Sequence, residues 1–241
     1  STSVTFDGAV NSKVGEQRNL IVNSPITIFN QSIGDGGSNT RLGILRTNIS
    51  GTTTFAGGLI RASVVEFNDG LILKGDTRID ATSTATFAAI DVDDSSTEAV
   101  LRISSAFTTF GGRVGNGPAA LSGLHVEGSG TTLINTDRVT ALESIFGNTL
   151  LIGVDTTITS ATSATFQSVR SEFNEFNDLT VQSLSATFNG AVGDGAGLAI
   201  GRLADALFSV TAFNSTVDAQ NLEYIGRVTV NGGTIRTIQD Q

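Results

Sequence analysis

His125 is the only histidine in the chain. Serine or cysteine hydrolase chemistry would therefore need a nucleophile and an orienting carboxylate to converge on that one imidazole. No cysteine is present to act as a thiolate. The run Leu124-His125-Val126 predicts a strand with the imidazole on its outer face, and catalysis there is not expected. Asp91, Asp93 and Asp94, followed by Ser95 and Ser96, could gather oxygen ligands for calcium, which takes six to eight of them. Their spacing fits neither an EF-hand nor the glycine-aspartate nonapeptide of calcium-binding β-rolls, so a solvated loop is the expectation. Glu172, Glu175 and Asp178 are read the same way. Paired carboxylates could cleave a glycosidic bond, but no spacing singles out a pair.

Glycine-rich strings offer a further candidate chemistry, because backbone amides freed of a Cβ can approach a phosphate. They are Gly34-Asp35-Gly36-Gly37, Gly115-Asn116-Gly117 and Gly193-Asp194-Gly195. None leads into the Lys-Ser/Thr of a P-loop. Their recurrence at one phase predicts structural turns with positive φ.

Any such group must be positioned by elements whose character the composition sets. Twenty-eight Gly and 14 Phe stand against two Pro and no Cys, Met or Trp, and Thr, Ser, Val and Ile are abundant. That mixture favours many short strands between tight turns. A net charge of −9 with only two lysines, Lys13 and Lys74, argues against a nucleic-acid or anionic-membrane surface. No apolar run approaches the roughly 18 residues of a membrane span. The absence of cysteine excludes disulfides and thiolate metal sites without fixing the compartment.

The phenylalanines set a period. F-x-x-x-[VI]-G-[DN]-G begins at Phe29, Phe110 and Phe188, and Phe6, Phe87 and Phe166 each precede one of these markers at a near-constant interval. Beyond the markers come Phe55, Ile134 and Phe213, and then, after a shorter step that is the same in every copy, Phe67, Phe146 and Ile225. Three copies result, residues 1–81, 82–160 and 161–241, each with four phased segments. The chain therefore starts and stops at unit borders, which is the expectation for an excerpt from a longer array.

Strand candidates such as Leu20-Ile21-Val22 and Thr52-Thr53-Thr54-Phe55 are too short to fold alone, and stacking them as rungs buries each apolar face on its neighbours. The expected fold is all-β, a parallel β-helix (β-solenoid) of about 12 stacked rungs at roughly 20 residues each. The Phe residues are expected inside it. Leu198, Ile200, Leu203, Ala206, Leu207 and Val210 locally suit a helix, but the repeat phase predicts strand. Basic and acidic residues number seven and seven in the first copy, three and eight in the second, four and eight in the third. This asymmetry could orient lateral packing of fibres, although drift on a solvated surface is the preferred explanation.

The strings TFDGAVNSKVGEQRNLIVNS (5–24), SGTTTFAGG (50–58), TFNGAVGDG (187–195) and VNGGTIRT (230–237) resemble the repeats of giant bacterial surface proteins of the filamentous-haemagglutinin and large repetitive adhesin type. The resemblance covers essentially the whole chain. It implies a β-solenoid shaft, export to the cell surface and a role in adhesion, aggregation or a fibrous coat, and it implies no catalytic residues. No residues here match that family's secretion domain, membrane anchor or binding tip.

The expected function is a non-enzymatic structural segment that self-associates or continues covalently into a fibre. A module binding cell-surface glycans is the alternative, and a polysaccharide-active β-helix enzyme ranks below both. An ice-binding face would need one TxT per rung, whereas threonine here clusters before Phe. No catalytic, cofactor-binding or metal-ligating residue is assigned.

Overall fold

The computed structural model describes residues 3–37, 39–93, 99–115, 117, 120–193, 198–205, 210–224 and 226–237. β-Branched and aromatic residues alternate with small or polar ones, so each short run buries every second side chain, as Thr52–Phe55 and Thr131–Ile134 do. None of these runs pairs with a hairpin partner. Each lies parallel to the run one coil before and the run one coil after, in a single sheet wound into a β-solenoid of about 11 turns. No helix among the described residues is long and apolar enough to cross a membrane.

Each coil has three sides. On the first face Phe6, Phe29, Phe55, Leu73 and Val92 lie in register. The second face runs from Val10 through Ile33, Ile60, Ile79, Ile103 and Val126 to Phe146, Phe166, Phe188, Phe213 and Val230. On the third, Phe67, Phe87, Phe110, Ile134 and Ile152 align. Several strands turn corners without breaking: Leu59–Leu73 and Arg138–Ile152 pass over all three faces, with register shifts at Ala62/Val64, Phe67/Gly70, Ala141/Glu143 and Phe146/Thr149. A shift of this kind bends a strand while keeping most of its ladder bonds.

Among the described residues nine phenylalanines are buried, as expected, whereas Phe107 and Phe173 are exposed, and stacked rings recur on each face. Ring centroids are 4.7 Å apart for Phe6–Phe29 on the first face, 5.7 Å for Phe87–Phe110 on the third, and 4.7 Å for Phe166–Phe188 on the second. Burial of each ring is worth roughly 1.5–3 kcal/mol, and near-parallel stacking adds to that.

The way the stacks change face gives the turn count. After Phe6 the inward positions run Val10, Val22, Phe29, Ile33, Leu45, Phe55, Ile60, Phe67, Leu73, Ile79 and Phe87, one per side. Eleven sides make three and two-thirds turns, so the start of each copy moves from the first face (Phe6) to the third (Phe87) and then the second (Phe166). Three copies complete 11 turns and regain the starting phase. The count falls one short of the 12 expected because the short step from Phe55 to Phe67 crosses two corners rather than a full coil.

The segment with helical periodicity is strand, at Ile200–Asp205 and Val210–Phe213. Leu203 pairs with Leu179 and Phe213 with Phe188. The ladder bonds offered by the preceding coil override local periodicity. Ala206, Leu207 and Ile225 lie outside the described residues.

Candidate functional site

The glycine strings are turns, and the amides of Gly34, Gly36, Gly115, Gly117 and Gly193 are already hydrogen-bonded within the chain. Gly34, Gly115 and Gly193 have φ of 72°, 66° and 67°. A Cβ there would lie 2.2 Å from the carbonyl oxygen of Arg61, 2.1 Å from that of Thr140 and 2.0 Å from that of Asp218. Both conformation and close approach demand glycine. Two residues on, the amide of Gly36 donates to Oδ1 of Asn11 and that of Gly117 to Oδ1 of Asp91, each at 2.7 Å. A side chain from the preceding coil thus fills the position a phosphate would take. Asn116, Asp194 and Gly195 lie outside the described residues.

Asp91 is therefore a tie between coils. Asp93 stands 3.8 Å from Lys74 Nζ, and Asp94, Ser95 and Ser96 lie outside the described residues. Among the described residues no three His, Cys, Asp or Glu side chains are grouped to hold a metal ion.

His125 does face outward from its strand, between inward Leu124 and Val126, yet it is covered to 8% exposure. Arg102 Nη1 lies 2.6 Å from Nδ1, and Nε2 lies 2.9 Å from Oε2 of Glu143. Because a guanidinium can only donate, Nδ1 accepts and Nε2–H donates to the carboxylate. Ser163 Oγ in turn donates to Glu143 Oε1 at 3.2 Å. Absence of a Cβ on Gly123 leaves room for the ring, since one would sit 3.0 Å from Nε2. With both ring nitrogens engaged by charged neighbours, the imidazole ties three coils together and holds no nucleophile.

Charged side chains elsewhere also answer one another along the stack. Arg61 Nη1 lies 3.0 Å from Asp35, and Arg102 Nη1 3.1 Å from Glu127. Arg113 grips Asp137 through two nitrogens at 2.9 and 2.7 Å, holding that carboxyl below its usual range. A groove of about 610 Å³ follows the corner between the second and third faces, floored by Ser104-Ser105-Ala106 and Gly128-Ser129-Gly130 and walled by Arg41 and Asp80. Arg41 Nη1 donates to the carbonyl oxygens of Ala62 at 2.9 Å and Asp80 at 2.5 Å, so this arginine staples coils at the corner.

The acidic run at Glu172, Glu175 and Asp178 separates into different roles. Asp178 is structural: Oδ1 accepts from the amide of Arg202 at 2.7 Å and Oδ2 from its Nε at 3.2 Å. The hydrogen bond to Asp178, with that to Glu223, raises the Arg202 guanidinium further above its ordinary value. Glu175 Oε2 accepts from Asn177 Nδ2 at 3.0 Å. Glu172 and Glu175 share a cavity of about 480 Å³ with Leu151, Arg170, Phe173 and Leu198. Phe173 is 69% exposed, the most exposed described phenylalanine. Sequence reasoning misses Phe173 and Arg170, although Phe173 falls outside the phase of the stacked rings and that signal marks it.

Comparisons with protein-family models, curated proteins and solved structures return no match.

Proposed function

We propose that the chain is a non-enzymatic structural segment of an extracellular bacterial fibre or adhesin shaft on the cell surface. It self-associates or continues covalently as further coils of the same solenoid. The observation carrying this reading is the phase of the repeat: eleven sides per copy return a third of a turn short, and three copies regain register. Copies can then be added without any change in coil geometry, each stacking its strands on the last. Its polar inventory supports the same reading, since Asp91, His125 and Asp178 each tie one coil to a neighbouring one.

Electron cryomicroscopy of native material, with the mass of the denatured chain from the same sample, tests the proposal. A filament with an axial rise of about 4.7–4.9 Å per coil is expected. A chain far above the 24.9 kDa of these residues would indicate covalent continuation, and one near it end-to-end assembly. Compact monodisperse particles alone would overturn the fibre reading. A glycan-binding adhesin module is the second reading, favoured by the exposed ring of Phe173 beside the carboxylate of Glu172.

A further inference from the structure

Two loops in different copies share one frame. In the first copy the amide of Arg18 donates to Ser12 Oγ at 2.7 Å, and in the third the amide of Asn177 donates to Ser171 Oγ at 2.8 Å. Positive φ recurs at Gly15 and Gln17 (79° and 46°) and at Asn174 and Phe176 (63° and 54°). Each loop closes on a main-chain bond, Glu16 to Lys13 and Glu175 to Glu172, at 3.0 and 3.1 Å. Each also holds an apolar side chain in solvent, Val14 at 68% and Phe173 at 69% exposure. The frame thus fixes the tip position whatever residue occupies it.

What differs is the chemistry placed on that frame. The first loop neutralises itself: Glu16 takes Lys13 at 2.7 Å and Arg18 at 2.6 Å, and the Lys13 bond, then the Arg18 bond, lowers its pKa. The third loop has Glu172 where the first has Lys13, and Phe173 where the first has Val14. Among the described residues, neither Glu172 nor Glu175 has an ion-pair partner. Arg170 Nε, on the same cavity wall, is a buried donor with no hydrogen-bond partner among the described residues. An exposed aromatic ring, two acceptor carboxylates and the Arg170 side chain therefore border one cavity of about 480 Å³.

We infer that this cavity is a saccharide-binding site, with a sugar ring lying on Phe173 and its hydroxyls bridging Arg170 and the carboxylates of Glu172 and Glu175. A sugar presents C–H groups on one face and both donors and acceptors around its rim, which matches this combination. A cationic peptide would use the carboxylates and the ring but would be repelled by Arg170. The inference rests on the glycan-binding reading and is independent of whether the chain forms fibres.

Saturation-transfer NMR on the whole chain, with glucose, galactose, mannose, N-acetylglucosamine and N-acetylneuraminate each at about 10 mM, suits the millimolar affinities of single sugars. At least one sugar should give signal, and its affinity, read by titrating that signal, should be weakened about tenfold by Phe173→Ala, the scale expected for loss of one aromatic contact. Glu172→Gln should weaken it too, while Val14→Ala on the matching loop should not. Unchanged thermal melting of the variants keeps the comparison valid, because both tips are exposed. Signal from none of the five sugars, or signal unaffected by Phe173→Ala, overturns the inference without touching the fibre proposal. A Lys-containing peptide that binds when no sugar does would assign the site to a basic partner and equally overturn it.

Discussion

The main-chain amide of Gly117 donates to Oδ1 of Asp91 at 2.7 Å, one coil away, and the amide of Gly36 donates to Oδ1 of Asn11 at the same distance. Aspartate and asparagine fill equivalent sockets because the socket asks only for an acceptor oxygen. The same economy recurs at an inner corner: Asp69 accepts from Thr47 at 2.6 Å and Thr53 at 2.8 Å, while Asn148 accepts from Thr132 at 3.0 Å.

Asp69→Asn keeps one acceptor oxygen but turns its NH2 group on the second hydroxyl, so it should cost less than Asp69→Ala without being neutral. Asp69→Ala would strand the buried hydroxyls of Thr47 and Thr53 and cost roughly 1–3 kcal/mol for each acceptor-deprived donor. Urea unfolding of the two variants side by side measures the difference. Equal destabilisation by Asn and Ala would refute the acceptor-only account.

Gly115→Ala puts a methyl 2.1 Å from the Thr140 carbonyl oxygen at a φ of 66°. Overpacking and left-handed strain together predict a loss of about 2–5 kcal/mol. Gly8→Ala, with nothing within 4 Å of the new Cβ, serves as the control. Thermal melting should separate them clearly.

Phe166 lies between Phe146 at 5.7 Å and Phe188 at 4.7 Å, and is fully buried. Phe166→Ala should cost about 3–5 kcal/mol through cavity formation and lost burial. Phe173→Ala should leave stability nearly unchanged. If the two variants melt alike, the assignment of inner stack and outer tip is wrong.

Arg113 holds the Asp137 carboxyl below its ordinary value, chiefly through their hydrogen bond. A depressed carboxylate stabilises the fold above its unfolded pKa, and that contribution disappears as pH falls through the folded pKa. Arg113→Ala should return the Asp137 titration, followed by carbon-detected NMR, to the usual aspartate range. It should also flatten the acid limb of stability slightly. No movement of that titration would show that the pair does not persist in solution.

Much of the architecture is legible in the residue order. The F-x-x-x-[VI]-G-[DN]-G markers locate the buried rings of Phe29, Phe110 and Phe188 and the left-handed turns at Gly34, Gly115 and Gly193. The rung count is less legible: the short step from Phe55 to Phe67 and the long one from Phe29 to Phe55 both separate phased rings, and only pairing distinguishes a two-side step from a full coil. The candidate site is legible in part. Glu172, Glu175 and Asp178 stand out as acids, but nothing local shows that Arg202 takes Asp178 while Glu172 stays without an ion-pair partner among the described residues. Such pairings join residues about a coil apart.

Apolar alternation and glycine placement are local properties that every coil repeats, and the parallel β-helix, its three copies and the identity of most buried rings follow from them directly. Three further features come from the packed coil: the face on which each copy starts, the closure of three copies in 11 turns, and the choice of charged groups consumed as ties. Those depend on where corners fall, and a corner is set by the register of a strand on its neighbour one coil below, a relation between residues that local sequence does not encode.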